Sequence, residues 1–215
     1  MLSATLLTAL VLAPGQLLKG VPIAESSTMR LHVGKQGRWT MTFEESAHTR
    51  LGGDDAATIK LAKKIGEEMS EEFSHGLASA EFTSEVKVVG ENPATVVVTV
   101  TGKGDDPADL LQWLRLILGC ERCAFSWNRE RFEISGFPPK PQTSLVGSVL
   151  GVIISGVVFD PHYKAETVLT TDGRFVVDHL PCKIEDDGRR LVLDVSKLAD
   201  SPEQERSLRI EGLGE

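Results

Sequence analysis

Three cysteines and one histidine stand in two short pairs, Cys120-Glu-Arg-Cys123 and His179-Leu-Pro-Cys182. Soft ligands separated by two residues suit a tight turn, and two such turns can offer four ligands to one tetrahedral zinc ion. Cys120, Cys123, His179 and Cys182 are therefore a candidate Cys3His site for one structural zinc ion, whose binding would contribute directly to folding. The same residues admit other chemistry. Cys120 and Cys182 could form a disulfide tether, or Cys120 and Cys123 a small redox ring, although three cysteines leave one unpaired. A redox pair normally has its first thiol at a helix amino terminus, where the dipole lowers the thiol pKa. Here the pair follows the carboxyl end of an expected helix, where the dipole acts the other way. Unreactive buried thiols, with no cofactor at all, are the plainest reading.

A second candidate is an anion-binding loop formed by Arg50, Gly52 and Gly53, just ahead of an expected helix. Backbone N–H groups at a helix start favour anions, and an arginine strengthens the site. In its position the loop resembles that of the acylphosphatases, which would imply anion binding in a ferredoxin-like fold; Asp54 and Asp55, immediately after it, would repel the anion. Arg122, Arg129 and Arg131 interleave with Phe125, Trp127 and Phe132, a mixture that can stack on single-stranded nucleic acid. A half-buried strand with a charged outer face explains the same pattern more simply. The sequence carries no Ser-His-Asp set and no phosphate loop.

Composition narrows the class. The chain has 215 residues, 41% hydrophobic and 25% charged, which is enough to bury a core without metal or disulfide staples. The formal net charge of -8 opposes general binding to phosphate backbones. Leu2 to Ala13 is a short apolar run, and Ala13-Pro14-Gly15 after it has the small-x-small form of a cleavage site, although no basic residue precedes the run. Residues 1–27 are read as an apolar leader with the form of a signal peptide cut near 15/16, with no membrane span beyond it. Leu145 to Phe159 is apolar as well, but it is short for a span and rich in Val and Ile, so one or two buried strands are expected there.

These residues need elements to place them. Alternation over Met29–Val33 and Arg38–Phe43, around Gly34-Lys-Gln-Gly37, predicts a hairpin. Ile59, Ala62, Ile65, Met69 and Phe73 predict one face of a helix capped by Asp54 or Asp55. Strands are expected over 80–89 and 95–101. A second helix follows, with Asp105 or Asp106 as its cap and Pro107 in its first turn. Strands over 124–127 and 131–135 come next. Residues 38–135 thus read strand-helix-strand-strand-helix-strand, the ferredoxin-like βαββαβ order, with one extra hairpin strand before it. Residues 28–136 are assigned to that α+β domain and the proline-rich stretch 137–144 to a linker. Short strands over 145–200, with hairpin signals at Asp172-Gly173 and Asp187-Gly188, predict a small all-β barrel or sandwich. Residues 201–215 read as a polar tail.

The leading expectation is a non-enzymatic binding or assembly module, exported or envelope-associated, with a protein partner or a second copy of itself. The alternative is a cytosolic regulatory domain holding the Cys3His zinc. A small phosphoryl-transfer or dithiol redox enzyme comes third.

Overall fold

The computed structural model describes residues 22–49, 55–74, 80–89, 95–118, 124–136, 158–194 and 206–214. Strands dominate. β1 (Pro22–Val33) and β2 (Trp39–Thr49) form the expected hairpin, joined by a 3-10 turn over Lys35–Gly37. The turn closes because Gln36 and Gly37 both adopt positive φ, so two residues reverse the chain. Helix α1 (Asp55–Ser74) leads to β3 (Glu81–Val89) and β4 (Thr95–Gly104). Helix α2 (Pro107–Leu118) is capped by Asp106, whose Oδ1 accepts the N–H of Ala108 at 2.8 Å. Then come β5 (Ala124–Trp127), β6 (Arg131–Ser135), β7 (Val158–Thr171), β8 (Arg174–Asp178), β9 (Cys182–Glu185), β10 (Arg190–Leu193) and β11 (Ser207–Glu211).

Two sheets result. The larger has seven strands in the order β3-β4-β2-β1-β7-β10-β9, and the smaller has four in the order β5-β6-β11-β8. All pairs are antiparallel except β1 with β7.

This arrangement overturns the ferredoxin-like expectation. In that fold the strand after the second helix would lie beside the first strand of the module. Here that edge of β2 is held by β1, its own hairpin partner. The chain leaving α2 therefore has no place next to β2, and β5 and β6 build the second sheet instead. The separate small β-domain is overturned by the same pairing. β7, β10 and β9 extend the larger sheet outward from β1, while β8 and β11 complete the smaller one. The apolar run 145–159 and the stretch 137–144 lie almost wholly outside the described residues, as does the tail over 201–205.

The Asp172-Gly173 turn was expected to close a hairpin. It is a corner at which the chain leaves one sheet for the other, since β7 and β8 belong to different sheets. Asp186–Gly188 is a true hairpin turn, with Glu185 opposite Arg190.

The core lies between the sheets and under α1. Leu31, Val33, Trp39, Met41, Phe43, Val100 and Leu169 point inward from the larger sheet, and Phe132, Ile134, Phe175, Leu208 and Ile210 from the smaller. Each such side chain, fully buried, contributes about 1.5–3 kcal/mol. Ala62 and Phe73 are buried on α1, and Phe73 meets Phe43 edge-on with ring centroids 6.0 Å apart. Gly66 brings the helix close: a Cβ there would lie 3.2 Å from Ser84 and Val98.

Candidate binding cleft

Two chain reversals, the corner after β7 and the turn between β9 and β10, meet the end of β11 at one end of the molecule. Backbone bonds lock them together. Asp172 N–H donates to Val33 O at 3.1 Å, and Thr171 N–H to Arg189 O at 2.9 Å. Gln36 N–H donates to Leu213 O at 3.0 Å, and Leu213 N–H to Glu130 O at 3.0 Å. The Thr171 hydroxyl donates to Val33 O at 2.9 Å and accepts Gly173 N–H at 3.1 Å, which fixes the corner.

Asp186, Asp187, Gly188 and Gly212 all adopt positive φ in this region. Aspartate and glycine adopt that conformation readily in tight turns, so these residues set the path of the chain around the cleft. Between the reversals lies an open cleft of about 740 Å³, lined by Asp172, Gly173, Arg174, Asp186, Asp187, Arg189, Glu211 and Gly212. Four of these are carboxylates and two are arginines. The cleft therefore favours a ligand carrying positive charge, with two guanidinium groups available to accompanying acidic or carbonyl oxygens.

His32 borders the cleft through Asp172. Its Nδ1 lies 3.0 Å from Thr170 Oγ1 and its Nε2 3.5 Å from Asp172 Oδ1, while Asp172 Oδ2 accepts the N–H of Lys35 at 3.2 Å. Thr, His and Asp in contact invite comparison with a nucleophile, base and orienting group. However, His32 and Asp172 are 41% and 46% exposed, so the trio stands in solvent rather than in the dry site that makes charge stabilisation effective. Its evident work is to hold the corner.

The residues singled out from sequence fall elsewhere. Arg50, Gly52 and Gly53 lie outside the described residues, as do Cys120 and Cys123. His179 is exposed between β8 and β9, with φ 55. Cys182 is half-buried on β9, opposite Leu193, and packs against the core. Burial pushes its thiol pKa up, which disfavours the thiolate that zinc requires. No group of three or more His, Cys, Asp or Glu side chains gathers for a metal among the described residues. The described half of the proposed Cys3His set therefore gives zinc no support. Phe125 and Trp127 are partly buried and pack against the core beside Phe132, at centroid distances of 4.9 and 6.5 Å from it, as a half-buried strand requires. No helix among the described residues is long and apolar enough to cross a membrane.

The cleft itself was not anticipated. Its two Asp-Gly turns were visible as turns, but their meeting depends on β7 and β8 joining different sheets, and local sequence carries no signal for that. No family model matches the chain, and no curated protein matches it. Among solved structures it is similar to the folded domain of LppM from Mycobacterium tuberculosis, determined by NMR, with 10% identity and a TM-score of 0.35 over 90% of this chain and 91% of that one.

Proposed function

We propose that the protein is a non-enzymatic binding or assembly module that works in an exported or envelope setting. The observation that carries the binding reading is the open cleft, where four carboxylates and two arginines stand on turns fixed by backbone bonds to both sheets. A rigid rim of this kind holds charged groups in place before a partner arrives, which reduces the ordering cost of association. Its openness suits a protein segment better than a small molecule, which is usually enclosed. The excess of carboxylates selects a basic segment. The export reading rests on the apolar run Leu2 to Ala13 and on Ala13-Pro14-Gly15 after it.

Fluorescence anisotropy with labelled lysine-rich and glutamate-rich peptides tests the binding reading. The lysine-rich peptide is expected to bind, to weaken as salt is raised, and to be lost on the double change Asp187→Lys and Glu211→Lys. Equal binding of both peptides, or binding indifferent to that double change, would overturn it. Mass spectrometry of the protein recovered from its own cells tests the export reading, with a mature start near Gln16 expected and an intact Met1 counting against it.

A further inference from the structure

Val88, Val89 and Ile184 are the exposed large hydrophobic residues among those described, at 45%, 56% and 42% exposure. All three lie on edge strands of the larger sheet, the valines on β3 and Ile184 on β9. An edge strand presents unpaired backbone N–H and C=O groups, a template for another strand. β9 has only four residues, but β3 has nine, and among the described residues its far edge has no partner.

The order of side chains on β3 indicates what could pair there. Thr83, Glu85, Lys87 and Val89 share the outer face, and Phe82, Ser84, Val86 and Val88 the inner. A second copy, related by a two-fold axis, would add its own β3 antiparallel to the first. Keeping both outer faces on one side requires some residue to sit opposite itself on the axis. With Glu85 there, two carboxylates face each other; with Lys87, two ammonium groups do. With Ser84 there, Val88 and Val89 extend past the partner strand. With Val86 there, Glu85 faces Lys87 twice, Val86 faces Val86, Val88 faces Ser84 and Val89 faces Thr83. That register alone among these four sets opposite charges across the seam and gives both exposed valines a partner.

We propose that this chain forms a two-fold dimer by antiparallel pairing of β3 with β3, centred on Val86, so that the larger sheets of the two copies become one. The inference rests on the assembly half of the reading above. It is separable from the cleft, because β3 and the β9–β10 turn stand at opposite edges of the sheet.

Sedimentation velocity on the full chain over a concentration series is expected to show a monomer–dimer equilibrium. Glu85→Lys and Lys87→Glu each set like charges opposite one another twice, and each is expected to weaken the dimer about tenfold. The double swap recreates both pairs in reverse and is expected to restore affinity to within about threefold of the original. The double swap also remakes the contact within one strand, where Lys87 Nζ lies 3.3 Å from Glu85 Oε2, so a cross-link at position 86 decides between the two origins of rescue. In a chain with Cys120, Cys123 and Cys182 changed to Ser, Val86→Cys is expected to cross-link two copies on mild oxidation, because directly opposed residues lie about 4.5–5.5 Å apart at Cα. Thr83→Cys is expected not to. A monomer at every concentration, a dimer indifferent to the swaps, or cross-linking through position 83 rather than 86 would overturn the proposal. Lys87→Glu is expected to leave binding of the lysine-rich peptide unchanged, so loss of the dimer and failure of the cleft reading are distinct results.

Discussion

Glu45 on β2 stands directly opposite Ser27 on β1, and both are buried, at 6% and 4% exposure. The neighbour of Glu45 on the other side is Val98 of β4, and its Oε2 has no hydrogen-bond partner among the described residues. A carboxylate in such a place loses its water and gains no compensation, so burial favours the neutral acid. Burial raises the Glu45 pKa from 4.5 to about 7.

The consequence for stability has a definite sign. Well below pH 4.5 the group is protonated in the folded and unfolded chains alike, and it adds no pH dependence to stability. Between that value and about 7 the folded chain keeps a proton that the unfolded chain releases, so stability falls as pH rises through this window. The loss is complete above it and amounts to at most roughly 3 kcal/mol. Glu45→Gln removes the titration. Urea unfolding is expected to show the variant gaining over the parent at pH 8 and holding little or no advantage at pH 4.5. Taking the difference between the two proteins cancels every contribution that they share. An equal difference at both pH values would refute the assignment.

Gly173 forms the corner between the sheets. A Cβ placed there would lie 2.2 Å from the carbonyl oxygen of Glu211, a backbone atom that cannot swing away. Gly173→Ala therefore has to push β11 off the corner or distort the turn. A loss of about 2–3 kcal/mol is expected, toward the upper end of overpacking costs because the obstacle is main chain. Asp172→Ala at the adjacent position removes only exposed contacts to Lys35 and His32 and is expected to cost less. If thermal melts ranked the two in the other order, the corner would not be as tight as the close approach implies.

The two sheets share a core, so they are expected to unfold together. Trp39 lies in the larger sheet and Trp127 in the smaller, and Gly37 in the β1–β2 turn abuts the Trp127 ring, 3.2 Å from where its Cβ would be. Phe132→Ala empties a fully buried site on β6. A loss of about 3–5 kcal/mol is expected. The fluorescence of single-tryptophan variants retaining Trp39 or Trp127 should shift by the same amount, with the circular dichroism transition moving alongside. A Trp39 transition that stayed in place while that of Trp127 moved would mean that the sheets unfold independently.

Local patterns were legible where local forces decide. The hairpin of β1 and β2 follows from alternation about a tight turn, and the Asp106 cap of α2 from a side chain two residues before the N–H it accepts. Helix α1 was readable from Ala62 and Phe73, spaced to share one face. The failures concern pairing across long separations. Nothing near β7 announces that Leu31 will lie beside Leu169, or that this parallel contact will fill the side of β1 away from β2. The extra hairpin strand is visible in the sequence, and because it occupies an edge of β2, it excludes the fourth strand of the expected module. Likewise an Asp-Gly pair specifies a reversal, but not whether the two flanking strands pair with each other or part into different sheets.

Cys182 is a free, half-buried thiol on β9. Its side chain faces the core from an edge strand, and burial raises its pKa. Thiolate is the reactive form, so folding should slow its chemistry near neutral pH. In a chain with Cys120 and Cys123 changed to Ser, Cys182 is expected to react with a disulfide reagent at pH 7 at least about tenfold more slowly when folded than in urea. The folded rate should also climb as pH is raised beyond 9.0, the ordinary value from which its pKa is displaced. The same burial predicts little call on Cys182 by zinc, so Cys182→Ala should leave the metal content of protein purified without chelator unchanged. A fast reaction in the folded chain would show that the thiolate is reached, and stoichiometric zinc that disappears on Cys182→Ala would support the four-ligand site.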